Sequence, residues 1–239
     1  MLSALILLTL AVTSGPPQPV TINDRTLYTQ LYNAGYPDAD IQKVRRNSAG
    51  TRLYLYPFSK DAEILVVQGG RVVRTLRRPG EVAYLNDEEQ FVAWTNDLKK
   101  GVNFINGGHR DVPFMGSIDV DPGGQYFVIS APKTSAVTDA KGPSVVIGVG
   151  TSQIAAIAHP MRVLATAPLN TERIFQHDNK IYLIGSRQDD SFVCQTYEIG
   201  ADSAYLIGEH IISAPTRAYD MGVYDMDPAT KRLLAWRHG

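Results

Sequence analysis

The chain is poor in cysteine. Cys194 is the only one among 239 residues, which excludes an intrachain disulfide. It sits in "SFVCQTYEI" between apolar neighbours and reads as a small buried hydrophobe. Net charge is also lacking. Lys and Arg number 23 against 24 Asp and Glu, giving −1, so no bulk field draws the protein to nucleic acid or to an anionic membrane. The basic runs "RVVRTLRRPG" (71–80) and "KVRR" (43–46) are short and read as solvated strand edges. Helical periodicity is scarce. The best instance is "DRTLYTQLYNAGY" (24–36), where Leu27 and Leu31, and Tyr28 and Tyr32, recur at helical spacing before Gly35 and Pro37.

Signature motifs are missing as well. The chain has no phosphate-cradling P-loop and no Gly-x-Ser-x-Gly elbow. "SVVIGVGTSQIAAIAHP" (144–160) offers Gly148-x-Gly150, but Gln153 stands where a dinucleotide fingerprint needs a third glycine. Two strands joined at Thr151-Ser152 describe this stretch better, and no cofactor is expected. His109, His159, His177, His210 and His238 show neither His-x-His nor His-x-x-x-His spacing, so no metal site is expected.

Only one long apolar run is present. Leu2 to Val12 has the length and composition of a signal-peptide core, with Val12 and Ser14 as small residues for cleavage. It falls short of the roughly 20 residues that span a bilayer. No Lys or Arg precedes it, so a hydrophobic segment retained in the fold is the alternative. Residues 1–14 are therefore read as a signal peptide or hydrophobic segment, and 15–239 as one domain, secreted or periplasmic.

What is abundant is a repeated phrase. "NSAGTRLYLYPF" from Asn47, "NDEEQFVAWTN" from Asn86, "DPGGQYFVIS" from Asp121, "HDNKIYLIGS" from His177 and "DPATKRLLAWR" from Asp227 each join a polar turn to a short strand. The turn starts lie 39, 35, 56 and 50 residues apart, close to the blade length of a β-propeller. Asp or Asn opens the turn by bonding its own backbone, while Pro122 and Pro228 fix φ at the next position. The strands are apolar on both faces: Tyr126 and Val128 oppose Phe127 and Ile129. A strand with one wet face would alternate apolar and polar residues, so sheets must cover both sides.

Each echo is followed by a hairpin. "AEILVVQGGRVVRTL" (62–76) turns at Gly69-Gly70, "GVNFINGGHRDVPF" (101–114) at Gly107-Gly108, and 191–212 at Gly200 to Ser203. The Gly/Pro-rich "APKTSAVTDAKGPS" (131–144) reads as an inserted loop. The expected fold is all-β: a propeller of about five four-stranded blades. Its incomplete fifth unit is closed by an N-terminal strand from "PVTIND" (19–24), or the chain is a propeller fragment. A β-sandwich explains the echoes less well.

At "NDEEQFVAWTND" and "DPGGQYFVIS" the chain resembles the WD40-like repeats of TolB-type propellers, over about a third of its length. Pro122 is followed by Gly123-Gly124 rather than Asp-Gly, and the Trp-Asp dipeptide of true WD40 repeats is absent. The resemblance implies an exported propeller that binds partners rather than a catalyst.

No residue earns a catalytic role from sequence. Candidate ligand-binding residues are His109, Arg110 and Asp111, which follow a Gly-Gly turn, and the His177–Asp178 pair at an echo turn. Asp119 joins them, two positions before Asp121. Arg110 suits a carboxylate or phosphate. "DVDP" (119–122) and "DMDP" (225–228) put carboxylates two apart, but lack the oxygens and Glu of a calcium loop. The expected function is an exported protein-binding or scaffold module, with a protein partner. A carbohydrate-active hydrolase using axial carboxylates on a glycan is the alternative, and a structural subunit of an envelope assembly is the second.

Overall fold

The computed structural model describes residues 18–21, 41–57, 61–69, 71–97, 100–113, 116–139, 142–189, 191–213, 221–227 and 232–237. The expected helix at 24–36 and the segment 1–14 lie outside the described residues.

The chain is an all-β propeller with four four-stranded antiparallel sheets and a fifth sheet of three strands. Strand β1 (Gln18–Thr21) belongs to the last. The first sheet holds β2 (Ile41–Arg46), β3 (Arg52–Pro57), β4 (Ile64–Gln68) and β5 (Arg71–Leu76). The second holds β6 (Val82–Leu85), β7 (Phe91–Thr95), β8 (Val102–Phe104) and β9 (His109–Arg110). The third holds β10 (Ser117–Val120), β11 (Tyr126–Asp139), β12 (Gly142–Ala156) and β13 (Val163–Ala167). The fourth holds β14 (Asn170–His177), β15 (Lys180–Ser186), β16 (Phe192–Ile199) and β17 (Ala204–Ser213). In these four sheets chain order is spatial order. In the fifth, β18 (Met221–Asp227) pairs antiparallel with β19 (Arg232–Arg237), and β1 adds in parallel on the far side of β19.

The first strands face the axis. β10 lies beside β14, and β18 lies beside both β14 and β2, so the fifth sheet closes the ring. The N-terminal strand supplies the closing pair, as the sequence suggests: Pro19 pairs with Leu233 and Thr21 with Ala235. This blade has three strands among the described residues, not four.

The echo is the turn between the first and second strands of each blade. Its opening residue organises it. The Asn47 carboxamide accepts the Thr51 and Arg52 N–H groups at 2.9 Å each, and that of Asn86 accepts those of Glu88 and Gln90 at 3.0 and 2.9 Å. The Asp121 carboxylate accepts the Gly123, Gln125 and Tyr126 N–H groups. One short polar side chain thus satisfies two or three backbone donors that the turn would otherwise leave unbonded. Each unit accordingly begins one strand before its echo, and the echo strand is second from the axis.

The two-faced strands are sandwiched between blades. Phe127 and Ile129 of β11 pack with Tyr84, Val92 and Phe104 of the second blade, the Phe104 and Phe127 rings being 4.6 Å apart. Val128, on the other face, packs with Ile174, Leu183 and Val193 of the fourth blade. Each such buried aliphatic or aromatic side chain contributes about 1.5–3 kcal/mol. Cys194 is buried with Phe175, Tyr182 and Phe192. The Arg71–Leu76 strand is the exposed outer edge of the first blade, which accounts for its basic run.

One stretch departs from expectation. Residues 131–144 are not a loop, and no turn falls at Thr151-Ser152. β11 and β12 form one continuous ladder from Tyr126–Ala156 to Asp139–Gly142, with a register shift at Ala131 to Lys133. Neighbouring strands accompany only its base: β10 ends its pairing at Ser130 and β13 at Ser152. Residues 131–139 and 142–150 are therefore a two-stranded arm. In its first strand Lys133, Thr134, Ser135, Thr138 and Asp139 interrupt the apolar residues that mark a strand in sequence. That composition is what reads as loop.

No helix among the described residues is long and apolar enough to cross a membrane.

Candidate functional site

The first strands of the blades place equivalent residues around the axis. Arg45, Tyr84, Asp119 and Asp225 each stand two residues before the residue that opens the next turn. Their second-strand partners are Tyr54, Ala93, Val128 and Leu234. Three of these residues meet in a buried polar cluster.

Asp119 is its centre. It is 2% exposed. Its Oδ1 accepts from Nη1 of Arg45 at 3.2 Å and from Nη1 of Arg173 at 3.3 Å, and its Oδ2 accepts the Ile174 N–H at 3.0 Å. Arg173 also donates to the Val44 carbonyl at 3.3 Å, and the Arg45 guanidinium lies 5.4 Å from the centre of the Tyr84 ring. Tyr84 in turn donates its hydroxyl to the Ile118 carbonyl. Charges from the first, third and fourth blades thus share one carboxylate, and the second blade contributes an aromatic wall.

Burial sets the electrostatics. It pushes the Arg45 guanidinium toward losing its proton, but Asp119, followed by Tyr56 and Tyr84, overcomes this and holds it above its ordinary range. Burial drives the Tyr84 phenol up, as does the Asp119 charge, so it stays a neutral donor. Two residues on, burial pushes the Asp121 carboxyl up to about 6, against the pull of its three N–H donors and Arg45. The cluster is a saturated lock between blades. Its carboxylate has two guanidiniums and a backbone amide on it and no open face for a substrate.

A second buried network joins the third and fourth blades. The Ser130 and Ser152 hydroxyls are 2.7 Å apart, Ser152 donates to the Leu169 carbonyl at 2.6 Å, and Ser130 accepts the Thr171 N–H at 2.9 Å.

The remaining nominated residues lie elsewhere. His109 and Arg110 form β9, the outer edge of the second blade, far across the sheet from the axial strand β6. The His109 ring bonds Asn103 Oδ1 through Nδ1 at 3.0 Å and approaches Asp111 through Nε2 at 3.5 Å. Arg110 reaches the third blade, donating to Gln153 Oε1 at 2.9 Å. Beside it the Asn106 carboxamide donates to the Ile157 and Ala158 carbonyls. This group fastens two outer edges. His177 and Asp178 stand 3.4 Å apart on the β14–β15 turn, His177 partly buried and Asp178 exposed, with Asp178 at a φ of 52°. The structure gathers Asp119 with neither pair. Instead it brings to Asp119 Arg173, not singled out from sequence, and Arg45, whose run "KVRR" is not a solvated edge but part of the axial strand β2, with Arg45 5% exposed. One signal for Arg45 was legible: it precedes Asn47 by the same two positions that separate Asp119 from Asp121. Arg173 gives no such signal, being four residues before His177.

Among the described residues, no group of three or more His, Cys, Asp or Glu side chains comes together as metal ligands would.

The outer edges of the third and fourth blades carry a different feature. Leu206, Glu209 and Ile211 of β17 pair with Tyr197, Gln195 and Val193, whose face of β16 looks toward the third blade. β17 lies beside β13 there, and Arg162 and Asp202 form an ion pair across the gap. On this border Leu206 is 52% exposed, Ile207 50% and Ile211 52%, whereas the exposed Met161 lies against Arg110 of the second blade. Glu209 is turned inward onto Arg187 and Gln195.

No family model matches the chain, and a search of curated proteins finds no match. Solved structures resemble it at low identity. Hydrazine synthase of Kuenenia stuttgartiensis aligns with a TM-score of 0.40 and 10% identity over 73% of this chain and 49% of that one. This chain thus spans about half the length of that protein. The β-propeller domain of Cps50 (Swd1) from Myceliophteria thermophila aligns at 0.37 and 13% identity over 72% and 71%. The WD40 repeats of RRP9 align at 0.31 and 10% over 77% and 86%. WD40 β-propellers are therefore among the chain's structural neighbours.

Proposed function

We propose that the chain is an exported, non-catalytic β-propeller that binds a protein partner on the outer border of its third and fourth blades. The exposed apolar residues Leu206, Ile207 and Ile211 of β17 carry this reading. Three large apolar side chains exposed on one edge strand, on a chain that fills its inter-blade cores elsewhere, mark a surface meant to be covered. The buried, fully bonded Asp119 supports a non-catalytic role, since an axial acid in a glycoside hydrolase must reach the scissile bond. The Leu2–Val12 segment supports export, and the TolB-type resemblance of the echo turns agrees with both.

The experiment is site-specific photocrosslinking in the producing cell. A crosslinker at Ile207 is expected to trap protein, and one at Val73, exposed on the first blade, to trap none. Equal trapping at the two positions, or none at Ile207, would refute the reading. Hydrolysis of a glycan that disappears in Asp119→Asn would favour the hydrolase instead.

A further inference from the structure

We infer that the β11–β12 arm joins the arm of a second copy of this chain, residues 133–139 of the two copies pairing antiparallel, edge to edge, in one four-stranded sheet. The arm is a ribbon without a third strand. Among the described residues only β11 and β12 pair along it, since the β10 ladder ends at Ser130 and the β13 ladder at Ser152. A two-stranded ribbon is marginal in water by itself, and an unpaired strand edge is a template for another strand. The stretch of β11 from Lys133 to Asp139 offers such an edge about 24 Å long.

The two edges of the arm are not equivalent. β12 contributes Gly142, Pro143, Gly148 and Gly150. Proline lacks the N–H that a ladder needs, and glycine weakens a strand interior. β11 has neither between Lys133 and Asp139, and its Pro132 lies in the register shift at the base. β10 pairs antiparallel with β11 and stops at Ser130, so an antiparallel strand on this stretch continues the line that β10 leaves off. Charge then selects the occupant. Lys133 and Asp139 are the only charged residues of the stretch, and they stand three positions either side of Ala136. Two copies paired antiparallel about Ala136 set each Lys133 opposite the other copy's Asp139. Thr134 then meets Thr138, and Ser135 meets Val137. A lone Lys on an edge strand repels its own duplicate; here each Lys finds an Asp. A parallel, in-register pairing sets like charges side by side, and a slip of two residues loses both pairs, so charge fixes direction and register together.

Sedimentation velocity of the full chain up to about 100 μM tests this. The expected result is a dimer. Lys133→Glu and Asp139→Lys each turn two attractive pairs into two repulsive ones, and each should raise the dissociation constant ~10-fold. Both changes together restore the two pairs in reverse and should return it to within ~2-fold of the native value. A photocrosslinker at Ala136 should trap a second copy, since Ala136 meets its own duplicate on the two-fold axis. One at Val73, exposed on the first blade, should not. Matching thermal melts establish that the variants fold. A monomer throughout this concentration range overturns the inference. So does a dimer that ignores both single changes or that the double change fails to restore, and so does a crosslinker at Ala136 that traps no second copy. The β17 border is tested separately at Ile207, so either interface can fail without the other.

Discussion

Replacing Asp119 by Ala should be the most damaging single change near the axis. The carboxylate is 2% exposed and takes three bonds: two from guanidiniums that are themselves 5% and 4% exposed, and one from the Ile174 N–H. Its removal keeps two buried positive charges close together without the anion they share. Breaking a buried pair in this way costs about 3–5 kcal/mol, because the charge left behind has already lost its water. For a chain of this size that lowers the melting temperature by about 6–20 °C. Differential scanning calorimetry with urea titration measures it. The same reasoning predicts an asymmetry. The triple change Arg45→Met, Asp119→Leu, Arg173→Met removes charges and carboxylate together and should cost less than Asp119→Ala alone. A loss under about 1 kcal/mol for Asp119→Ala, typical of exposed pairs, would refute the claim that this cluster locks the blades. So would a triple variant worse than the single.

Three further outcomes are expected. The Asp121 carboxyl is raised by burial from 3.8 to about 6 in the folded chain, so its contribution to stability is full below pH 3.8 and lost as pH rises through 6; Asp121→Asn should flatten that part of the stability profile in urea titrations across this window. Gly124→Ala should destabilise by more than about 1 kcal/mol, because the residue sits at a φ of +70° and a Cβ would lie 2.6 Å from that of Asn86, whereas Gly107→Ala, at +81° in open space, should pay only the backbone term; equal losses in thermal melts would contradict this. Arg110→Ala removes a solvent-exposed clasp and should cost under about 1 kcal/mol, with no change in crosslinking at Ile207; a larger loss of either would restore the loop as a binding mouth.

The architecture was legible because its cause is local. Asn47, Asn86 and Asp121 each bond the backbone of their own turn, so a propeller blade announces itself within ten residues of sequence. The opposite-face pairs Tyr126/Val128 and Phe127/Ile129 were legible for a related reason: a strand covered on both sides has no position left for a polar residue. Of the β11–β12 arm "SVVIGVG" was legible as a strand, but its partner after Ala131 was not, since Lys133, Ser135 and Thr138 interrupt its apolar residues. Asp119 was picked out as chemically unusual, and it is, but its partners Arg45 and Arg173 lie 74 and 54 residues away. Their encounter is decided by how the blades go round, which no spacing within one repeat records. The border strip escaped notice because Leu206 and Ile211 look like ordinary strand residues until the ring shows that no blade covers them.

The parallel pairing of β1 with β19 has a consequence in time. Strand β1 is made before every other described strand and finds its neighbour only when Arg232 to Ala235 have been made. At ~5–20 residues per second that is a wait of roughly 10–40 s. The four antiparallel sheets need no such delay, because each is complete within one stretch of chain. Until that pairing forms, the finished blades are an open arc whose two end faces are uncovered, and the arrival of β19 turns the arc into a ring.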